Sequence, residues 1–233
     1  MNPIRYGGNN RKVYVLMNTR PELLFFTKWL QSPLSVASVT PSSPQLAQAM
    51  AARLPQGDGA VVELGGGTGS ITRALLQNGI APDRLIVVER DAYFCSYLKR
   101  RFPDINVICG DALCLESALN GLFEALPIRT VVSGLPMLSM TAKTQKQLLE
   151  QSIRIMESRG IFVQFSYAIT SPLKKRVAKE LNLQQECVAH VWRNVPPAKV
   201  WVYRKKEQNI SDSITQTAVK QHAVAAVPSS RVA

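Results

Sequence analysis

Histidine and cysteine are scarce in this sequence of 233 residues, which has two of the first and four of the second. The cysteines, Cys95, Cys109, Cys114 and Cys187, form no C-x-x-C pair, so neither a zinc site nor any other metal site nor a disulfide framework is expected, and a reducing compartment fits. Neither histidine suits a general base: His190 falls in a β-rich segment and His222 in the tail. Long apolar runs are also missing, and none approaches the ~20 residues of a spanning helix. Val13–Met17 is too short for a secretory apolar region and runs into Asn-Thr-Arg. Acidic residues are outnumbered: 16 Asp+Glu against 28 Lys+Arg leave a net charge of +12. What is abundant is apolar, 46% against 19% charged, which excludes a wholly disordered or fibrous chain. The expectation is a soluble, cytoplasmic protein whose surface attracts a polyanion, a description that RNA and an anionic membrane leaflet both meet.

Three zones follow one another. Residues 1–55 hold a basic start, an aromatic-aliphatic stretch and a Pro/Ser-rich hinge. Residues 56–204 alternate short β-rich runs with helical patterns, and 205–233, poor in large apolar side chains, read as a disordered tail. In the middle zone, strands are predicted at Ala60–Leu64, Arg84–Glu89, Ile105–Cys109, Thr130–Ser133 and Ile161–Tyr167. Helices are predicted at Ser70–Asn78, Ala92–Phe102, Leu113–Gly121, Lys143–Ser158 (stopped by Gly160) and around Lys174–Leu181. Strands alternating with helices imply a parallel sheet covered on both faces. Glu186–Arg193 and Lys199–Arg204, with Pro196-Pro197 between them, are too close for a parallel crossover and must form an antiparallel hairpin. The predicted fold is α/β: a doubly wound, Rossmann-like sheet with a C-terminal antiparallel hairpin.

The most informative segment is Glu63-Leu64-Gly65-Gly66-Gly67-Thr68-Gly69-Ser70. Glycines between a strand and a helix let the backbone approach a ligand, and the helix that follows offers free N–H groups. The dinucleotide fingerprint fails because its last glycine position is Ser70, and the phosphate-loop pattern fails because no Gly-Lys-Ser/Thr follows. What remains is an acid placed before E-x-G-x-G-x-G glycines. Glu89 ends the second strand, where an acid accepts from ribose hydroxyls. Asp111, in Cys109-Gly110-Asp111-Ala112, ends the third strand unit, where it would receive an adenine amino group. Glu63 and Asp111 also admit the plainer reading of loop carboxylates or helix caps.

This set resembles the class I S-adenosylmethionine-dependent methyltransferases over residues 56–204. The resemblance implies S-adenosylmethionine as methyl donor. It places Glu63 on the donor's amino group, directly or through water, Gly65, Gly67 and Gly69 along its methionine portion, Glu89 on the ribose and Asp111 with Ala112 at the adenine. The methyl would face Ser133-Gly134-Leu135-Pro136-Met137, the segment that separates two branches of the superfamily. In rRNA adenine dimethyltransferases the loop is Asn-Leu-Pro-Tyr/Phe, with an amide acceptor for the target amine and a ring for the flipped base. Here Gly134 supplies no amide and Met137 no ring. An aliphatic amine needs neither, only deprotonation and alignment.

Further pieces narrow the resemblance: Phe25-Phe26-x-x-Trp29-Leu30, Val39-Thr40-Pro41-Ser42-Ser43, Phe165-Ser166-Tyr167 with Ser171-Pro172, and Arg193-Asn194-Val195-Pro196-Pro197-Ala198-x-x-Trp201-x-Tyr203. Together they are similar to the bacterial phospholipid N-methyltransferases, which methylate phosphatidylethanolamine stepwise toward phosphatidylcholine, with relatives acting on ornithine lipids. The resemblance implies an enzyme peripheral on the inner face of the membrane. The amphipathic segment 21–30, which contains Lys28 and is flanked by Arg11, Lys12 and Arg20, would then lie on the anionic leaflet or pack onto its own domain. Arg193 would engage a lipid phosphate or anchor the hairpin. Tyr167 would orient the amine or serve as a buried structural tyrosine. Ser42 and Ser43 would cap a helix starting near Pro44. The rivals are an rRNA methyltransferase, which explains the charge but not Gly134 and Met137, and a degenerate binding protein, which the intact acids and glycines oppose.

Overall fold

Strand β1, Ala60–Leu64, is buried at every position, as a strand covered on both faces must be. The computed structural model describes residues 43–55, 57–119 and 126–206. The expected amphipathic segment 21–30 and nearly all of the expected tail lie outside them. The remaining strands are β2 (Leu85–Glu89), β3 (Asn106–Cys109), β4 (Ile128–Ser133), β5 (Met156–Ser166), β6 (Leu183–Val191) and β7 (Ala198–Lys205). They form one seven-stranded sheet in the order β3-β2-β1-β4-β5-β7-β6. The first five run parallel, whereas β7 is antiparallel to both β5 and β6. The expected doubly wound sheet with a closing hairpin is therefore observed. Its order reverses between β1 and β4, and the crevice beyond the carboxyl ends of the strands at such a reversal is where open α/β sheets bind ligands.

Helices cover both faces. On one side α1 (Pro44–Ala51), α2 (Ser70–Gln77) and α3 (Ala92–Arg101) pack on the side chains that point their way, including Val61, Val87, Val132 and Val163. On the other, α4 (Leu115–Ala118), α5 (Ala142–Ile155) and α6 (Lys175–Glu180) close over Val62, Leu64, Ile86 and Val131. The alternation of strand side chains between these two clusters is the period of two that a pleated strand imposes. Ser43 caps α1, its Oγ accepting from the N–H of Leu46 at 3.2 Å, with Pro44 in the first turn. Leu46, Ala47, Met50 and Ala51 of α1 are buried in the first cluster, and the Asn78 side chain donates to the Ala51 carbonyl at 2.9 Å.

Two elements differ from expectation. The helix predicted to reach Ser158 stops at Ile155, because Met156 already pairs with Ile128 of β4. The register then jumps so that Thr130 faces Ile161, and the extra residues bulge between. A Cβ on Gly160 would lie 2.8 Å from that of Met156, so this glycine marks a crowded bulge rather than a helix stop. The helix predicted over Leu113–Gly121 is a 3₁₀ turn, Ala112–Cys114, followed by the four-residue α4. Cys95 of α3 and Cys109 of β3, expected to stay unpaired, come together with Cα atoms 5.8 Å apart, within the span of a disulfide. Cys114 and Cys187 remain free.

Candidate active site

The glycine loop is fastened at its start, where β1 ends, to the segments on either side. The N–H of Gly65 donates to the carbonyl of Val88 and that of Gly134 to the carbonyl of Leu64, both at 2.8 Å. Gly65, Gly67 and Gly69 take φ of +77°, +49° and +77°. The space around them differs. A Cβ on Gly67 would meet nothing within 4 Å, so the backbone there borders open room. A Cβ on Gly69 would lie 2.5 Å from the Phe102 ring, and one on Gly66 would collide with Val87 and Leu98. The loop thus presses Gly66 and Gly69 against β2 and the C-terminal half of α3 and leaves Gly67 facing outward.

Glu89, at the end of β2, reaches back to this loop. Its Oε2 accepts from the N–H of Gly67 and its Oε1 from that of Asp91, both at 2.9 Å. A carboxylate oxygen has two lone pairs, so each retains one for a further donor. Asp111 follows β3, beside which the N–H of Gly110 donates to the Glu89 carbonyl at 2.9 Å. Its Oδ1 caps the 3₁₀ turn through the N–H of Leu113 at 2.9 Å, which realises the plainer reading of one oxygen. The next residue, Ala112, is buried.

Glu63 differs from both: it is 0% exposed. Its Oε2 accepts from the hydroxyl of Thr72 on α2 at 2.7 Å, while its Oε1 is buried without a hydrogen-bond partner among the described residues. Burial pushes the carboxyl up from 4.5 to about 8, with Glu89 adding to the rise and the bonds from Thr72 opposing it. The three sequence-nominated acids thus share the carboxyl edge of β1-β2-β3, one sealed behind the glycine loop and two at its mouth.

The loop after β4 is held by two glutamines that sequence reading passed over. Gln164, paired in register with Ser133, donates to the carbonyl of Leu135 at 3.0 Å. Gln145, fully buried on α5, donates to the carbonyls of Met137 and Pro172, each at 2.9 Å, and accepts from the N–H of Lys174 at 3.0 Å. One side chain thereby joins the loops after β4 and β5. A glutamine inside Ile161-Phe162-Val163-Gln164-Phe165 was a legible signal, whereas Gln145 sits in an ordinary polar helix pattern. Gln145→Ala leaves two buried carbonyls and an N–H without partners, so chemical denaturation should show a loss of about 2–3 kcal/mol. Gly134 lies against Gly65, where a Cβ would stand 3.0 Å from the Gly65 carbonyl oxygen. Met137 is 1% exposed and points into the core rather than the crevice.

Tyr167 follows β5, half-buried, its ring edge-on to Phe165 with centroids 5.3 Å apart. Burial raises its hydroxyl above the ordinary tyrosine range, opposed by a hydrogen bond with Asn194. Asn194 is buried in the β6–β7 loop, and its side chain also donates to the carbonyl of Pro196. The neighbouring Arg193 is exposed. Since Ser166 pairs with Lys199, this loop stands at the same edge of the sheet as the glycine loop.

No protein-family model matches the chain. It is 32% identical over 190 residues to an ornithine lipid N-methyltransferase of Singulisphaera acidiphila, covering 78% of this chain and 94% of that one. A probable ribosomal RNA small subunit methyltransferase A of Halobacterium salinarum is 35% identical over 97 residues, covering 35% of this chain and 33% of the relative. Among solved structures, a TehB-like S-adenosylmethionine-dependent methyltransferase of Corynebacterium glutamicum superposes with a TM-score of 0.54 at 18% identity, covering 79% and 98% of the two chains. That likeness is one of fold.

Proposed function

The chain belongs to the class I S-adenosylmethionine-dependent methyltransferases, and on that premise we propose that it methylates the primary amine of a membrane amino-lipid, phosphatidylethanolamine or an ornithine lipid. The observation that carries this reading is the loop after β4. Gly134 offers no amide, its Cβ position is crowded by the Gly65 carbonyl, and Met137 is turned into the core. A planar aromatic amine, whose lone pair is delocalised, finds neither an acceptor nor a stacking ring there, whereas an aliphatic amine requires only placement. The lipid-modifying relative supports the same acceptor class.

The residues fit a sulfonium nucleoside. The open room beside Gly67, the spare lone pairs on Glu89 and the unpartnered buried Oε1 of Glu63 are complementary to a polar, amine-bearing ligand. When bound, the donor supplies an electrophilic methyl group on a positively charged sulfur. Glu63 would hold its ammonium, Gly65 and Gly67 its methionine portion, with Gly69 fixing the start of α2 behind them. Glu89 would take the ribose hydroxyls, and Asp111 with Ala112 the adenine. Gly134 keeps the approach to the methyl free of a side chain. Tyr167, held by Asn194, would fix the acceptor amine, and Arg193 would engage the lipid phosphate or carboxylate through two oxygens at once. The amine loses its proton to water, so no dedicated base is assigned. No helix among the described residues is long and apolar enough to cross a membrane, and the protein would work as a cytoplasmic enzyme, peripheral on the inner leaflet, aided by the basic, amphipathic segment 21–30.

The test is incubation with methyl-labelled donor and vesicles containing phosphatidylethanolamine or ornithine lipid, products separated by chromatography. Methylated lipid is expected from at least one. Its absence from both, with label instead in adenines of ribosomal RNA, would favour the rRNA reading that the shorter similarity suggests.

A further inference from the structure

The carboxyl edge of the sheet carries opposite charges at its two ends. Beside the glycine loop, at the ends of β2 and β3, the acids Glu89, Asp91 and Asp111 outnumber the one cation among them, Arg90. The segments that leave β4, leave β5 and join β6 to β7, residues 133–145, 166–176 and 190–199, contain no Asp or Glu. They hold six cations: Lys143, Lys174, Lys175, Arg176, Arg193 and Lys199. Of these six, only Arg176 is in an ion pair among the described residues, with Glu180 at 2.7 Å.

Three large apolar side chains project from the same half of the edge: Ile169 is 85% exposed, Trp192 73% and Val195 76%. Most of the apolar side chains of this fold are inside it, so three in neighbouring loops form an unusual group. They do not sit on slack chain. The Lys199 ammonium donates to the Ile169 carbonyl at 2.6 Å, tying the loop after β5 to the first turn of β7. Asn194, between Trp192 and Val195, is buried and bonded to both Tyr167 and Pro196. The loop is therefore built so that its polar residue turns in and its apolar neighbours turn out.

We infer that Ile169, Trp192 and Val195, in the half of the edge that carries these cations, are a docking surface for an anionic phospholipid bilayer, an inference that rests on the amino-lipid reading above. The cations match the negative headgroups, and a tryptophan beside an arginine suits the interface between headgroups and acyl chains. Ile169 and Val195 have no planar face for stacking a nucleobase, so the patch is better matched to acyl chains than to RNA. Seated this way, the edge that carries Tyr167 and Arg193 faces the leaflet, and the acceptor amine enters without leaving the headgroup layer.

The experiment compares the full chain with its Ile169→Ser/Trp192→Ser/Val195→Ser variant, matched for thermal midpoint. Sedimentation is measured with phosphatidylcholine vesicles doped with phosphatidylglycerol, and methyl transfer is measured on a short-chain, water-soluble amino-lipid. The variant should bind vesicles roughly tenfold more weakly while methylating the soluble lipid at the parental rate. In a Trp29→Phe background, brominated acyl chains should quench the tryptophan fluorescence, and Trp192→Phe should remove most of that quenching. Unchanged vesicle binding by the triple variant overturns the docking surface and leaves the amino-lipid reading standing. No transfer to any amino-lipid by either protein, with vesicle binding still lost in the variant, overturns the function alone. Loss of RNA binding in place of vesicle binding overturns the choice of partner.

Discussion

Replacing Glu89 by Ala should weaken donor binding about a hundredfold or more, read by titration calorimetry, since two hydrogen bonds to a charged acceptor are worth ~1.5–3 kcal/mol each. The effect has two sources. Glu89 would offer the remaining lone pairs to the ribose, and through the N–H groups of Gly67 and Asp91 it also holds the glycine loop against α3. Glu89→Gln separates them, because its amide oxygen retains one acceptor while the NH₂ repels the other N–H. It should fall between parent and Ala. A donor affinity within about threefold of the parent in Glu89→Ala would remove the ribose role.

Glu63 predicts a stability that falls as pH rises. In the unfolded chain its carboxyl ionises near the ordinary 4.5, whereas in the fold it keeps its proton to about 8. Between those values the unfolded state binds fewer protons, so unfolding becomes easier with rising pH; below 4.5 and above 8 this contribution is constant. The change across the window is on the order of 5 kcal/mol. Glu63→Gln keeps the shape and the bond to Thr72 but cannot ionise, so its denaturation profile should lack this slope and exceed the parent's stability at alkaline pH. A donor ammonium beside Glu63 favours the carboxylate. Calorimetry at neutral pH in buffers of different ionisation heat should therefore detect proton release on binding to the parent and none to Glu63→Gln. Equal proton release from both would place the ammonium elsewhere.

Much of this was legible in the chain because it is local. Val61-Val62-Glu63-Leu64 and Leu85-Ile86-Val87-Val88 are apolar runs that only a strand covered on both faces can use, and the structure has β1 and β2 there. Ser43-Pro44 announced the start of α1. Gly160 misled, because a glycine that relieves crowding in a bulge and one that ends a helix look alike in sequence. Gln145 was silent for the opposite reason. Its three partners, Met137, Pro172 and Lys174, come from other loops, and nothing within α5 distinguishes it from Gln147 or Gln151.

The amino-acid sequence alone determined the alternation of strand and helix, the glycine bend with acids after successive strands, and the loss of base-reading groups at Gly134 and Met137. Each is a matter of which residue stands at a position within one short segment. Only the tertiary structure decided that Glu63 is sealed from water while Glu89 stays at the mouth. It also brought Tyr167, Asn194, Ile169 and Trp192 to the edge that bears the glycine loop. Those relations depend on the antiparallel pairing of β7 with β5 and on how closely α2 covers β1. The first joins residues far apart along the chain and the second depends on how the chain folds back across the glycine bend, so neither the register nor the desolvation is encoded by a local pattern.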